Sequence, residues 1–352
     1  MSENPTIKVP AEIKEYGYDA LYPSPLPVDQ AKQEGAPYVC KSAAPNHPLQ
    51  ITDILSDAKA KGYWVEEFSV NTDYFNFHVF DYIRNNGFVQ FDEQLGIPTN
   101  KYGWSEIRQT YPVTIGLIAI NQISKYNHTS DSKCYERYQR IVAWLLENQN
   151  QDSGAWEVPF SYDFFPGRTG GALSKNWASA LAQGLCISAL CRAPEEMRSA
   201  EIEAAVRKAL FPFQKPVSAG GVVTQFLGEY PFYEEYPTLR PSLVLNGFMY
   251  ALLGLHDAWE RYECDDALQL FDRGIETLAR SLPFYDLGDR SAYDLTHLQS
   301  GNEHLPPNPA RLGYHDVHVR VLSAFEALRP GTFEACLVRW TLYRYGVFCA
   351  NN

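Results

Sequence analysis

The chain has 352 residues, 45% of them hydrophobic and 20% charged, enough apolar material for one large core or two modest ones, so a disordered scaffold is excluded. A formal net charge of −12 argues against a nucleic-acid partner, whose phosphates need a basic face. An acidic ligand remains admissible, because a few cations focused in a cleft suffice to hold a carboxylate or sulfate.

The opening stretch, MSENPTIKVPAEIKEYGYDA, lacks a basic start followed by an apolar block, and no segment reaches 18 continuous apolar residues. A soluble, cytoplasmic chain with no membrane partner is expected. Residues 1 to about 50 hold many prolines and no clear period, as in LYPSPLPVDQ, and read as an extended arm. DYFNFHVFDYIRNNGFVQF then alternates aromatic and polar residues around Asn85-Asn86-Gly87, a hairpin signal. Residues 1–104 are therefore taken as an arm and β-hairpin region.

From about residue 105 the period becomes helical. YPVTIGLIAINQISKY, YQRIVAWLLENQ, NWASALAQGLCISALCRA, SLVLNGFMYALLGLHDAW, DALQLFDRGIETLARSL, YHDVHVRVLSAFEAL and FEACLVRWTLYRYG place apolar residues at steps of three and four. Several are apolar on most faces and carry Gly116, Ala182, Gly184, Gly247 and Gly254 inside them, the pattern of helices packed closely on two sides. The fold class expected is mainly α, an (α/α) toroid of helical hairpins over residues 105–352. In such a toroid the long aromatic loops emerge at one end and line a cleft with rings. The seven cysteines stand singly with no CxxC pair, so neither a disulfide framework nor a zinc ribbon is expected, and Cys186, Cys191 and Cys336 read as core thiols.

Twenty-three tyrosines exceed what a helical core requires, and rings with hydroxyl edges suit glycan surfaces. Most single tyrosines are nonetheless core. Tyr236 in EEYPT, Tyr293 in SAYDLTH and Tyr314 in RLGYHD lie in polar loops beside acids or histidines, where a core role is weaker. Glu234-Glu235 is followed by prolines, so a rigid loop would hold Glu235 and Tyr236 in fixed directions. His315 and His318 stand three apart without an obvious third ligand; hydrogen-bonding histidines are favoured over a metal pair, and no metal is expected. QNQDSGAW resembles the glutamine-tryptophan turn of several toroids and is read as a packing device. No phosphate loop or Ser or Cys nucleophile signature appears. Hydrolysis by paired carboxylates stays open, with Asp163, Glu235 and Asp294 as candidates.

EEYPTLRPSLVLNGFMYALLGLHDA, LFDRGIETLARSLPFYDLGDRSAYDLTH, PNPARLGYHDVH and FEACLVRWTLYRYG together resemble the C-terminal domain of the heparosan or heparan-sulfate D-glucuronyl C5-epimerases, over roughly residues 230 to 345. The chain looks like a compact form lacking that family's β-sandwich domain and membrane anchor. The resemblance implies a homodimeric toroid that inverts C5 of glucuronate within a polymer, giving iduronate, with no cofactor. A proton α to a carboxylate leaves one face and a proton returns to the other.

Residues carried over from the resemblance are Glu235, Tyr293 and Tyr314 as catalytic groups, with Tyr314 and either Glu235 or Tyr293 as the opposed pair and Tyr236 positioning the substrate. Tyr111, Arg168, Lys175, His297, Arg311 and His315 complete the substrate-binding candidates. One departure stands out: the family reads Tyr-Asp-Leu-Arg-His where this chain has Tyr293-Asp294-Leu295-Thr296-His297, so the arginine expected at the uronate carboxylate is missing. Two rival readings remain at this stage. One is a uronan lyase, which begins with the same proton loss; the other is a glycan-binding toroid without activity.

Overall fold

The computed structural model describes residues 7–8, 73–75, 88–102, 105–164, 169, 171–302, 304–343 and 350–351. Packing divides the chain into two units, residues 75–276 and residues 1–74 with 277–352. The hairpin signal at Asn85-Asn86-Gly87 and most of the expected arm lie outside the described residues.

In the 75–276 unit, β1 (Val89–Asp92) pairs antiparallel with β2 (Ile97–Asn100). Gly96 closes the turn at φ 71°, a conformation that costs glycine nothing. Helix α1 (Pro112–Thr129) starts on a proline, whose missing N–H is no loss in a first turn. Helix α2 (Ser132–Asn148) is capped by Asp131, which accepts from the Lys133 amide. Helix α3 (Ala180–Cys191) is capped by Ser179 and is buried along its whole length, as its apolar residues on all faces require.

The short helix α4 (Ala200–Lys208) is not among those picked out by apolar periodicity alone. Its signals are at its ends: Ser199 as cap, Glu201 and Glu203 in the first turn, Arg207 and Lys208 in the last. A hairpin follows, β3 (Val223–Phe226) against β4 (Tyr230–Tyr233), and then α5 (Leu245–Tyr262).

Helices α1, α3 and α5 form an inner row in which glycines bring backbones together. A Cβ on Gly184 would stand 2.4 Å from the Tyr250 carbonyl oxygen, and one on Gly116 would stand 2.9 Å from Leu185 and Cys186. Alanine at either position would force the row apart. The three helices run in the same direction. Ala180 at the start of α3 donates to the Glu234 carbonyl (2.9 Å), while Arg192 beyond its end pairs with Asp257 well along α5 (2.5 Å). Arg192 also covers the Phe75 ring, whose carbonyl accepts from Ser124 near the end of α1. The N-termini of all three helices therefore share one end of this unit.

The QNQDSGAW turn packs as expected. Trp156 is fully buried and donates its indole N–H to Leu145, while the Gln149 and Gln183 amides both donate to the Gly154 carbonyl. Gly154 sits at φ 73°, where a Cβ would meet the Lys208 carbonyl.

Helix α6 (Asp265–Tyr285) spans the division between the units. In the other unit β5 (Ala292–Asp294) pairs with β6 (Asn308–Pro309), followed by α7 (Leu312–Leu328) packed on α8 (Glu334–Tyr343). Ile7–Lys8 pairs with Ala350–Asn351. Cys186, Cys191 and Cys336 are buried free thiols, and the described residues are mainly helical. Among them no helix is long and apolar enough to cross a membrane.

Candidate active site

The loop between β4 and α5 carries two adjacent buried glutamates in different surroundings. Glu234 is enclosed by donors: its carboxyl accepts from the Ser242 hydroxyl (2.6 Å), the Ser242 amide (3.3 Å) and the Leu243 amide (3.2 Å). These bonds fix the turn in which Leu243 adopts φ 52°. Burial nevertheless pushes its pKa up to about 8. Glu234 is thus committed to the fold.

Glu235 is also buried, 2% exposed, but its Oε2 has no hydrogen-bond partner among the described residues. Burial pushes its pKa up to about 7, opposed by a hydrogen bond from Tyr236. A buried carboxyl with an unused oxygen and a pKa near neutrality is equipped to take or give a proton.

Phenols surround it. Tyr236 hydrogen-bonds to both Glu235 and Tyr111. Its ring stacks on Phe164 (centroids 4.2 Å apart, 11° between planes) and lies against Tyr162 and Trp177, which fixes its direction. The Tyr111 phenol is held well above the usual range, first by burial and then by the Glu235 charge; Tyr162 is raised by the same two causes. These two phenols therefore keep their protons. In this set Glu235 is the group suited to be a base.

The remaining candidates of the 75–276 unit are less defined. Lys175 is exposed, on the stretch between the bridges Tyr162 to Leu173 and Val158 to Trp177, and Arg168 lies outside the described residues. Asp163 is exposed. Sequence reading did not single out Tyr162 and Phe164, which brace Tyr236. Their only signal was the aromatic richness of the loop that contains them.

In the other unit the Tyr293 and Tyr314 rings meet edge to face, centroids 4.9 Å apart at 71°. Tyr314 is 42% exposed, and Arg311 beside it, at the N-cap of α7, is also exposed. Asp294 is fully buried and accepts from the Thr296 amide (2.9 Å), the Thr296 hydroxyl (2.6 Å) and the Asn308 amide side chain (2.6 Å). Thr296, where the resemblance expects arginine, is therefore a buried turn residue that satisfies Asp294. His297 is buried in the 3-10 turn Thr296–Leu298.

His315 holds the fold together. Its Nδ1 accepts the Ser291 amide (3.1 Å), which leaves the proton on Nε2 to be donated to the Trp340 carbonyl (2.9 Å). His318 is fully buried beside it, its Nδ1 2.7 Å from the Ser291 hydroxyl, and burial depresses its pKa well below the ordinary value. Among the described residues the group with metal-ligand spacing is His256, Asp257 and Glu260, where Arg192 already neutralises Asp257.

A buried carboxyl raised toward neutrality, with one oxygen unpartnered among the described residues and phenols around it, makes a candidate acid–base site. The chain belongs to the D-glucuronyl C5-epimerase family: the family model described as the D-glucuronyl C5-epimerase C-terminus matches residues 149–341, more than half of its length. It is 36% identical to the D-glucuronyl C5-epimerase of Caenorhabditis elegans over 222 residues, 59% of this chain and 35% of that protein. It is 34% identical over 152 residues to an uncharacterised protein of Methanocaldococcus jannaschii, 42% of this chain and 47% of that one. The matches thus span less than half the length of each relative. A GH76 α-mannanase from Bacteroides thetaiotaomicron superposes with a TM-score of 0.47 at 9% identity, over 78% of this chain and 71% of that one. A likeness that distant bears on neither fold nor chemistry here.

Proposed function

We propose that the chain is a polysaccharide C5-epimerase, converting D-glucuronate to L-iduronate within a heparosan-type polymer. The observation that carries this reading is Glu235, buried, with one oxygen unused and its pKa raised to about 7, in a member of this family.

In the proposed step the C5–H bond breaks, its electron pair moves into the uronate carboxylate as an enediolate, and the proton passes to the Glu235 carboxylate. In this proposal the phenols of Tyr111 and Tyr162, whose protons burial holds on, donate hydrogen bonds to developing negative charge or to sugar hydroxyls, while Tyr236 keeps its bond to Glu235. Inversion then needs a proton delivered to the other face of C5, and with Glu235 as one member of the opposed pair that the resemblance implies, Tyr314 is the group proposed for that role. No nucleotide cofactor or covalent intermediate enters the scheme. The (α/α) toroid and the homodimer implied by the resemblance belong to the same proposal.

The test is incubation with heparosan in deuterated water, followed by NMR of the uronate C5 positions, with ultraviolet absorbance recorded alongside. Deuterium at C5 together with iduronate signals is the expected result. A growing absorbance from a new double bond would instead identify a lyase, and silence in both channels would leave a glycan-binding protein.

A further inference from the structure

Three of the glycines inside the inner helices, Gly116, Gly184 and Gly254, give up their side chains to neighbouring backbone. Gly247 does not follow them. A Cβ built on it would stand 2.4 Å from Glu235 Oε2, 2.5 Å from Glu235 Cβ and 3.0 Å from Glu235 Cδ, so the glutamate side chain lies flat along the place where a residue-247 side chain would be. Gly247 is not among the residues at positive φ, so backbone conformation does not demand glycine there. Within a helix glycine is less favourable than alanine. Room is the remaining reason for it.

We propose that Gly247 is a positioning residue for Glu235: its missing side chain is the seat that holds the Glu235 carboxyl against the first turn of α5. This rests on the reading of Glu235 as a proton-transfer group. Gly247 is the third residue of the 18-residue helix, so the seated carboxyl lies near the positive end of the helix dipole, which favours its charged form and opposes burial. Among the described residues, the titratable groups that face it are its neighbour Glu234 and the phenols of Tyr111, Tyr162 and Tyr236. A methyl at residue 247 would displace the carboxyl from that balance and from its hydrogen bond to Tyr236.

The experiment compares Gly247→Ala in the whole 352-residue chain with wild type by C5 deuterium exchange, and adds a thermal-unfolding cycle with Glu235→Gly, which also removes the Cβ 2.5 Å from the new methyl. Expected are a kcat lower by about a hundredfold, the size of loss a misplacement of about 1 Å brings, a KM little changed, and a displaced midpoint in the pH profile. The melting temperature should fall in the Glu235 background and hold or rise in the Glu235→Gly background, where neither the Cβ nor the carboxyl occupies the seat. Equal melting shifts in the two backgrounds, or an unchanged kcat, would overturn the proposal. If Gly247→Ala fails to fold, the double variant is expected to fold, and failure of both overturns it. Absence of exchange in wild type would sink the reading of Glu235 while the thermal cycle still decides the seat.

Discussion

Glu234 and Glu235 are adjacent in the chain and both buried, yet the Glu234 carboxyl accepts three hydrogen bonds from Ser242 and Leu243 while Glu235 Oε2 has none. Neighbouring residues of a strand end point to opposite sides, so one carboxyl turns into the loop and the other toward the phenols. One is structural, and the other is the group proposed for proton transfer.

Glu235 should make the protein less stable at alkaline pH. Its pKa rises from the ordinary carboxyl range to about 7 on folding, so between those values the folded chain binds more protons than the unfolded one. Stability is then full below about pH 4 and is lost as pH rises through about 7, by about 3 kcal/mol in all. Glu234, raised to about 8, acts in the same direction. Glu235→Gln should therefore unfold later than wild type in urea at pH 8, with the gap closing at pH 4. Equal curves at pH 8 would contradict the raised pKa.

The Ser242 hydroxyl supports the Glu234 carboxyl at 2.6 Å. Ser242→Ala should cost about 1–3 kcal/mol, the range for a buried group losing a hydrogen bond. The cost should grow above pH 8, where Glu234 is charged. Urea melts at pH 6 and pH 9 measure both quantities.

Tyr314 is 42% exposed and touches Tyr293 through its ring edge. Tyr314→Phe keeps that contact, so its stability should stay within about 0.5 kcal/mol of wild type. Its turnover should fall by roughly a hundredfold or more if the phenol transfers a proton. Calorimetry and exchange rates on the same preparation separate the two effects.

Thr296 donates to Asp294 from inside the fold. Thr296→Val removes the hydroxyl at nearly constant volume and should destabilise by about 1–3 kcal/mol. Restoring the family's arginine here should be worse than valine, because a guanidinium would enter a fully buried position. Chemical denaturation of the two variants ranks them.

Much of this was legible in the sequence because it depends on local pattern. Period and small residues gave the inner helices, and Gly116, Gly184 and Gly254 do lie where backbones meet. Helix α4 escaped because its nine residues make only about two and a half turns, too few to establish a period by eye, though its caps were readable. The neighbouring Glu234 and Glu235 looked alike in sequence, since only the fold decides which carboxyl meets Ser242. His315 stood beside Tyr314 in a motif, and its burial against Ser291 and Trp340 depends on partners 24 and 25 residues away. The Thr296 departure became interpretable only once Asp294 and Asn308 were seen around it.

The most direct measurement is C5 deuterium incorporation into heparosan from deuterated water by wild type and Glu235→Gln, across pH 5 to 9. The account predicts incorporation by wild type with kcat/KM rising through about pH 7 as the Glu235 carboxyl ionises, and its near-complete loss in the variant. Incorporation by Glu235→Gln at the wild-type rate, with the same pH profile, would contradict it.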